Sequence, residues 1–200
     1  MALTVTLLSS ASTVAQKQGA FPNAATLTAS AYKRAQTIRL DSRRFDVVLN
    51  APDPASLQTA AAVRLSATLE PALAEPGYGT WAGRTIRDIM EEQPEQFASW
   101  LRGEFMPGDE SMGDLFDRVR RWLSGHLEGR TRIIAVAAPN VVRACVFVAL
   151  DLTPAHFSRL DIPPLTLSTL TSNGREWRVR SVGVFPAISA VAKDANAYDD

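Results

Sequence analysis

Apolar runs of strand length alternate along this chain with segments in which apolar residues recur at helical spacing. The runs that predict strands are residues 45–49, 69–73 and 132–137, and residues 5–13 predict a strand that runs into a small polar turn. The segments that predict helices are residues 28–39, 86–92, 94–101, 111–125 and 141–150, with one more opening at Pro54. Strands that alternate with helices are typical of right-handed crossovers and of a mainly parallel sheet covered by helices on both faces.

Two late apolar runs close this pattern. Residues 165–170 and 177–184 predict strands that a turn at Gly174 joins into a hairpin. The expected fold class is therefore α/β, a three-layer α/β/α sandwich whose mainly parallel sheet carries an antiparallel closing strand. We expect one domain over residues 1–185 and a loosely ordered C-terminal tail over residues 186–200.

Individual residues add three local expectations. Residues 16–26 contain a glycine and a proline and predict a polar loop. Pro139 is expected to interrupt the regular structure after the strand 132–137. The helix that opens at Pro54 is expected to bury an apolar face made of Leu57, Ala60, Ala61 and Leu65.

Charge, cysteine count and the N-terminus limit the classes of partner and site. The formal net charge is +0, so no basic excess attracts nucleic acid or an anionic membrane surface. No stretch reaches the ~20 apolar residues that span a bilayer, and residues 1–15 lack the basic start of a signal peptide, so a cytoplasmic protein is expected. One cysteine, Cys145, in an apolar run predicts a packing role, and with two histidines it furnishes no usual zinc site. No metal or cofactor is expected.

Five segments, in this order, resemble motifs of the histidine phosphatase superfamily, the phosphoglycerate mutase-like group. They are LTASAYKRA (27–35), APDPASLQTA (51–60), LAEPGYGTWAG (73–83), PGDESMGDLFDRV (107–119) and IIAVAAPNVVRA (133–144). The resemblance spans roughly residues 4–184 and implies the phosphoglycerate mutase-like fold.

The resemblance also implies roles for the end of the first strand. In that family the strand ends in Arg-His-Gly, and the histidine accepts the phosphoryl group as a covalent intermediate. In this chain Ser9 stands at the arginine position, Ser10 at the histidine and Ala11 at the glycine.

Three further family positions complete the comparison. A second arginine and a second histidine bind the phosphoryl group, and a glutamate protonates the leaving oxygen. Ala55 and Ala138 stand at the arginine and histidine positions, while Glu75 matches the glutamate. The chain thus resembles a degenerate member of the family, and phosphatase or mutase activity through a phosphohistidine is not expected.

The first hypothesis is therefore a non-catalytic protein, a pseudo-phosphatase that acts as a binding or regulatory module. Its ligand would be a small molecule or a peptide of a partner protein. Glu75 is the candidate catalytic group, if any catalysis is retained. The expected ligand-binding cleft is lined by Ser9, Ser10, Ser12, Thr13, Gln16, Ala55, Ala138 and Asn140.

Two alternatives stay open. In one, the chain is an enzyme of another class that uses Glu75 as acid or base on a non-phosphorylated substrate. In the other, it is a structural subunit with a vestigial cleft. Under each of these hypotheses the protein could be a homodimer. His126 is read as a partly buried packing residue, His156 as a surface residue and Arg143 as a member of a structural ion pair.

Overall fold

The computed structural model describes residues 3–127 and 131–187. The predicted tail over residues 186–200 lies outside the described residues, except for its first two positions. Within the described ranges, no helix is both long enough and apolar enough to cross a bilayer.

In the described part of the chain, six strands form one sheet with the order β3-β2-β4-β1-β5-β6. Their bounds are β1 Leu3–Ser9, β2 Val47–Asn50, β3 Thr68–Leu69, β4 Arg132–Ala137, β5 Leu167–Ser172 and β6 Trp177–Val184. The first four are parallel to one another, whereas β5 is antiparallel to both β1 and β6. The sheet is therefore mainly parallel with an antiparallel strand, as the sequence predicts.

Helices follow most of the strands. Their bounds are α1 Val14–Lys17, α2 Ala29–Gln36, α3 Pro54–Ala62, α4 Ile86–Glu92, α5 Pro94–Leu101, α6 Met112–Gly125 and α7 Pro139–Ala149. Short 3-10 turns occupy Ser42–Arg44, Pro71–Leu73, Gly79–Trp81 and Pro154–Arg159. Side-chain oxygens of Thr28, Asp53 and Ser111 cap α2, α3 and α6, which satisfies backbone N–H groups that the first helical turn leaves free.

The helices cover both faces of the sheet, because alternate residues of β1 and β4 point to opposite sides. Val5 and Ile133 belong to the core under α6 and α7. Leu8 and Ile134 belong to a second core under α2 and α3. This arrangement confirms the three-layer α/β/α prediction.

Two local predictions are wrong. The predicted polar loop 16–26 follows a short helix, α1, whose N-terminus is closed by a capping box between Thr13 and Gln16. The predicted strand 69–73 is mostly a 3-10 turn, and β3 has two residues. Pro139 ends the strand as expected, but it is also the first residue of α7, where a proline needs no N–H partner.

The buried face of α3 also differs from the prediction. Leu57 is 45% exposed, and the side that faces the sheet carries the small residues Ala55, Thr59 and Ala60. The cause is a close approach of α3 to the turn after β1, where the Ala11 N–H donates to Thr59 Oγ1 at 2.9 Å. A leucine on that side would hold the helix away from this turn.

Candidate functional site

The carboxyl ends of β1, β2 and β4 meet at one edge of the sheet. Ser10, which follows β1, donates its backbone N–H to Ala137 O of β4 at 2.8 Å. Ala51, which follows β2, donates to Val136 O at 2.8 Å. In α/β sheets of this kind, ligands bind outside the carboxyl ends of the strands, so this edge is the candidate site.

A narrow cavity of about 10 Å³ lies at this edge, enough for a single water molecule. It brings together six of the residues predicted from sequence: Ser10, Thr13, Gln16, Ala55, Glu75 and Ala138. Asp53 also lines it, and Pro139 closes one side. The structure thus brings these six residues together, but the cavity by itself is too small for an organic ligand.

Glu75 lines this cavity and is partly buried. Burial, and then the negative charge of Asp53, raise the pKa of Glu75 from 4.5 to about 8. The carboxyl group is therefore mainly protonated at neutral pH and has a proton to donate. Arg118 of α6 fixes the loop before it, donating from Nη1 to Ala72 O and from Nη2 to Ala74 O, each at 2.6 Å.

A larger cleft of about 650 Å³ lies beside the narrow cavity, and Gln16 and Pro139 line both. Three cationic side chains line it, namely Lys17 of α1, Arg34 of α2 and Arg143 of α7. Among the described residues, one carboxylate also lines this cleft, that of Asp161. Its other lining residues are Ser12, Thr28, Ser30, Ala31, Asn140, Ile162, Pro164 and Leu165. The volume suits a small organic molecule, and the charge favours an anionic one.

Arg143 is the most buried of these cations, with 16% of its side chain exposed. Its guanidinium lies 4.9 Å from the centroid of the Phe157 ring, and its Nη2 is 3.8 Å from Asp161 Oδ1. Its Nε is buried and has no hydrogen-bond partner among the described residues. Burial lowers the pKa of Arg143. The guanidinium thus belongs to the wall of the cleft, and one of its N–H groups has no partner among the described residues.

Asn140 fixes another part of the wall of the larger cleft. Its Nδ2 donates to the hydroxyl oxygen of Tyr78 at 2.7 Å, which joins α7 to the loop that follows Glu75. Burial raises the pKa of Tyr78, so the phenol stays neutral. Within the described ranges, no group of three His, Cys, Asp or Glu side chains is placed to hold a metal ion.

A comparison with family models matches residues 11–184 to the histidine phosphatase superfamily (branch 1). The chain belongs to this superfamily. The matched residues include the turn after β1, α3, the Glu75 loop and β4 with α7. They therefore supply most of the residues that line the two cavities. The match begins one residue after Ser10.

Curated relatives within the superfamily match part of the chain. Phosphoserine phosphatase 1 of Hydrogenobacter thermophilus is 25% identical over 126 residues, 57% of this chain and 59% of that protein. A bifunctional protein of Mycobacterium tuberculosis is 28% identical over 127 residues, 60% of this chain and 34% of its own length. The chain thus spans less than two thirds of either relative.

Solved structures of the superfamily share the whole fold. The alpha-ribazole phosphatase of Shigella flexneri has a TM-score of 0.77 at 21% identity, covering 92% of this chain and 98% of that one. The phosphoserine phosphatase of Entamoeba histolytica has a TM-score of 0.78 at 16% identity, covering 90% and 96%. At these identities the likeness shows the fold.

The hypothesis of a non-catalytic protein is contradicted by these relatives and is wrong. Phosphoserine phosphatase 1 is named for a catalytic activity. This name contradicts the hypotheses of a pseudo-phosphatase, of a structural subunit and of an enzyme that acts on a non-phosphorylated substrate. The expectation of membership in the superfamily is confirmed.

Ser9 lies away from both cavities, unlike the other predicted cleft residues. Its Oγ donates to Pro163 O at 2.7 Å and accepts from the Thr166 N–H at 3.0 Å. Because side chains alternate along a strand, Ser9 and Ser10 point in different directions. Ser9 therefore joins β1 to the segment before β5, while Ser12 and Asn140 line the larger cleft.

The two histidines are placed as the sequence predicts. His126 ends α6, where its ring packs 5.3 Å from Trp122 and its Nδ1 is 2.8 Å from Trp122 O. His156 is exposed on a 3-10 turn. In the described part of the chain neither histidine lines either cavity.

Sequence reasoning missed Lys17, Arg34 and Asp53 as site residues. Arg34 lies three residues after Ala31, which places it on the same side of α2, and this spacing was available in the sequence. Lys17 had no such signal, because helix α1 was not predicted. For Arg143 the predicted ion pair is long, at 3.8 Å, and its partner is 91% exposed.

Proposed function

We propose that this chain is a phosphatase that hydrolyses small phosphate monoesters in the larger cleft. The observation that carries this proposal is the convergence of Lys17, Arg34 and Arg143 around one cleft of a chain whose formal net charge is +0. A phosphate monoester is a dianion near neutral pH, and arginine forks match its oxygens. The phosphatase relatives support the same substrate class.

Glu75 is the proposed proton donor. Hydrolysis of a phosphate ester leaves an alkoxide oxygen that must gain a proton, and a carboxyl group protonated at neutral pH can supply it. Glu75 has this state because burial and Asp53 raise its pKa to about 8. The phosphoryl group would lie where Gln16 and Pro139 line both cavities, between the cations and Glu75.

This phosphatase would work without a phosphohistidine. The motif resemblance places Ser10 and Ala138 where the family has its two histidines. Neither is a base, and His126 and His156 lie elsewhere in the described structure. In this proposal the cations of α1, α2 and α7 take over the stabilisation of phosphoryl charge.

Release of inorganic phosphate from p-nitrophenyl phosphate and from a panel of small monoesters tests the proposal between about pH 5 and pH 9. The Arg34→Gln and Arg143→Met variants should each raise KM by about tenfold or more, because each removes a charged hydrogen bond. Lys33→Gln is the matched control for Arg34→Gln, since Lys33 lies next to it on α2 and does not line the cleft. No phosphate release from any monoester would overturn the proposal.

A double variant, His126→Gln with His156→Gln, tests whether the reaction proceeds without a phosphohistidine. It removes both histidines of the chain and should retain wild-type kcat. Loss of turnover in this variant, with its fold intact by circular dichroism, would mean that a histidine carries the phosphoryl group after all.

A further inference from the structure

We propose that Asp53 is the general base of this site, and that with Glu75 it holds the water molecule that attacks phosphorus. The inference rests on the proposed phosphatase function and adds to it the residue that activates the nucleophile. It needs no histidine.

The two carboxylate oxygens of Asp53 have different surroundings. Oδ1 accepts the Ser56 N–H at 2.9 Å and so caps α3. Oδ2 is buried and has no hydrogen-bond partner among the described residues. A buried oxygen without a partner costs free energy that a hydrogen-bond donor would recover. A carboxylate oxygen can accept a hydrogen bond or a proton.

The narrow cavity provides the missing donor. Its volume of about 10 Å³ is at the lower end of what a cavity needs to hold one water molecule. A buried water needs two to four polar partners, and Asp53, Glu75, Ser10 and Gln16 all line this cavity. Gln16 also lines the larger cleft, so the water would lie next to a phosphoryl group bound there.

Asp53 and Glu75 line the same narrow cavity. Burial, and then the charge of Asp53, raise the pKa of Glu75 to about 8, so Glu75 holds its proton at neutral pH. Tyr78 also lies near Glu75, and burial raises its pKa. Its hydroxyl oxygen accepts from Asn140 Nδ2. In this proposal Asp53 is the base and Glu75 the acid of one reaction.

The step balances in atoms and charge. The water oxygen bonds to phosphorus while one of its protons passes to Asp53 Oδ2. The bond between phosphorus and the ester oxygen breaks, and the Glu75 proton passes to that oxygen to give the alcohol. Inorganic phosphate is the second product, and exchange with solvent returns a proton from Asp53 to Glu75.

The Asp53→Asn variant tests this role, because asparagine caps a helix as well as aspartate does but cannot accept the proton. We expect an unchanged melting temperature and a kcat lower by about 10²–10⁴-fold. The kcat/KM of the wild type should fall as pH rises through about 8 and Glu75 loses its proton. This basic fall should vanish in Glu75→Gln.

Asp41→Asn is the matched control, since Asp41 caps the turn Ser42–Arg44 and lines neither cavity. It should retain wild-type kcat. The Asp53→Ser variant keeps a capping oxygen, and added formate should restore part of its kcat by supplying the missing base.

The outcomes separate the two proposals. A wild type that releases no phosphate removes the proposed function itself. A wild type that turns over, with an Asp53→Asn variant within threefold of its kcat, overturns the role of Asp53 and leaves the phosphatase proposal standing.

Discussion

Arg118 Nη2 donates to the carbonyl oxygen of Ala74 at 2.6 Å and so fixes the residue that precedes Glu75. The same guanidinium donates to Ala72 O, and it pairs with Glu110 through two hydrogen bonds. Helix α6, on the opposite face of the sheet from α3, thereby sets the position of a loop in the candidate site.

Arg118→Met should destabilise the fold by about 3 kcal/mol, because it leaves the Glu110 carboxylate and two backbone carbonyls without their partner. Urea unfolding measures this loss. Arg120→Met is the control on the same helix, since its ion pair with Asp117 is exposed and should contribute less than about 1 kcal/mol. Equal effects of the two substitutions would contradict the role given to Arg118.

Glu75→Gln should change how stability depends on pH. The pKa of Glu75 is 4.5 in the unfolded chain and about 8 in the fold. The raised value stabilises the wild type fully below the unfolded pKa, and this contribution is lost as pH rises through about 8. Glutamine has no such dependence, so the variant should gain ~2–4 kcal/mol on the wild type between about pH 5 and pH 9. Parallel stability curves would show that Glu75 is not held protonated.

Gly108→Ala should destabilise the loops around the site. A Cβ at Gly108 would lie 2.1 Å from Gly77 O, so the backbone must shift, at a cost of about 1–3 kcal/mol. Gly113→Ala is the control, because a Cβ there meets nothing closer than 3.6 Å and alanine favours the helix. Thermal unfolding should therefore move in opposite directions for the two variants. A Gly108→Ala melting temperature at or above that of the wild type would contradict this close packing.

Cys145 should resist thiol reagents in the native protein. It is fully buried in α7, and burial raises the pKa of its thiol to about 12, so the reactive thiolate is scarce near pH 8. Mass spectrometry should find no label in native buffer and one label in denaturant, since the chain has one cysteine. Rapid labelling in native buffer would show that α7 opens far more readily than its packing indicates.

Much of the fold could be predicted because local sequence and final structure agree. Ser111 caps α6 and Pro94 opens α5, and both ends follow from local chemistry that tertiary contacts do not override. Leu57 shows the limit of this reasoning. Its exposure depends on how closely α3 approaches the turn after β1, which the periodicity of α3 does not contain.

The site was harder to predict for the same reason. The resemblance to family motifs located Glu75 and Ser10, which line one cavity. Lys17, Arg34 and Arg143 come from three separate helices, and their meeting around one cleft is a property of the tertiary structure. That Asp53 Oδ2 has no hydrogen-bond partner among the described residues is likewise a property of the folded chain, which the sequence does not contain.

The cations of the larger cleft all belong to helices, and two of them, Lys17 and Arg34, are exposed side chains. Substitutions at exposed positions usually change stability by less than about 0.5 kcal/mol. The preference for one ligand over another can therefore drift during evolution at these two positions while the sheet and its two cores stay unchanged. The substrate specificity of such a protein can therefore change without a prior increase in its free energy of unfolding.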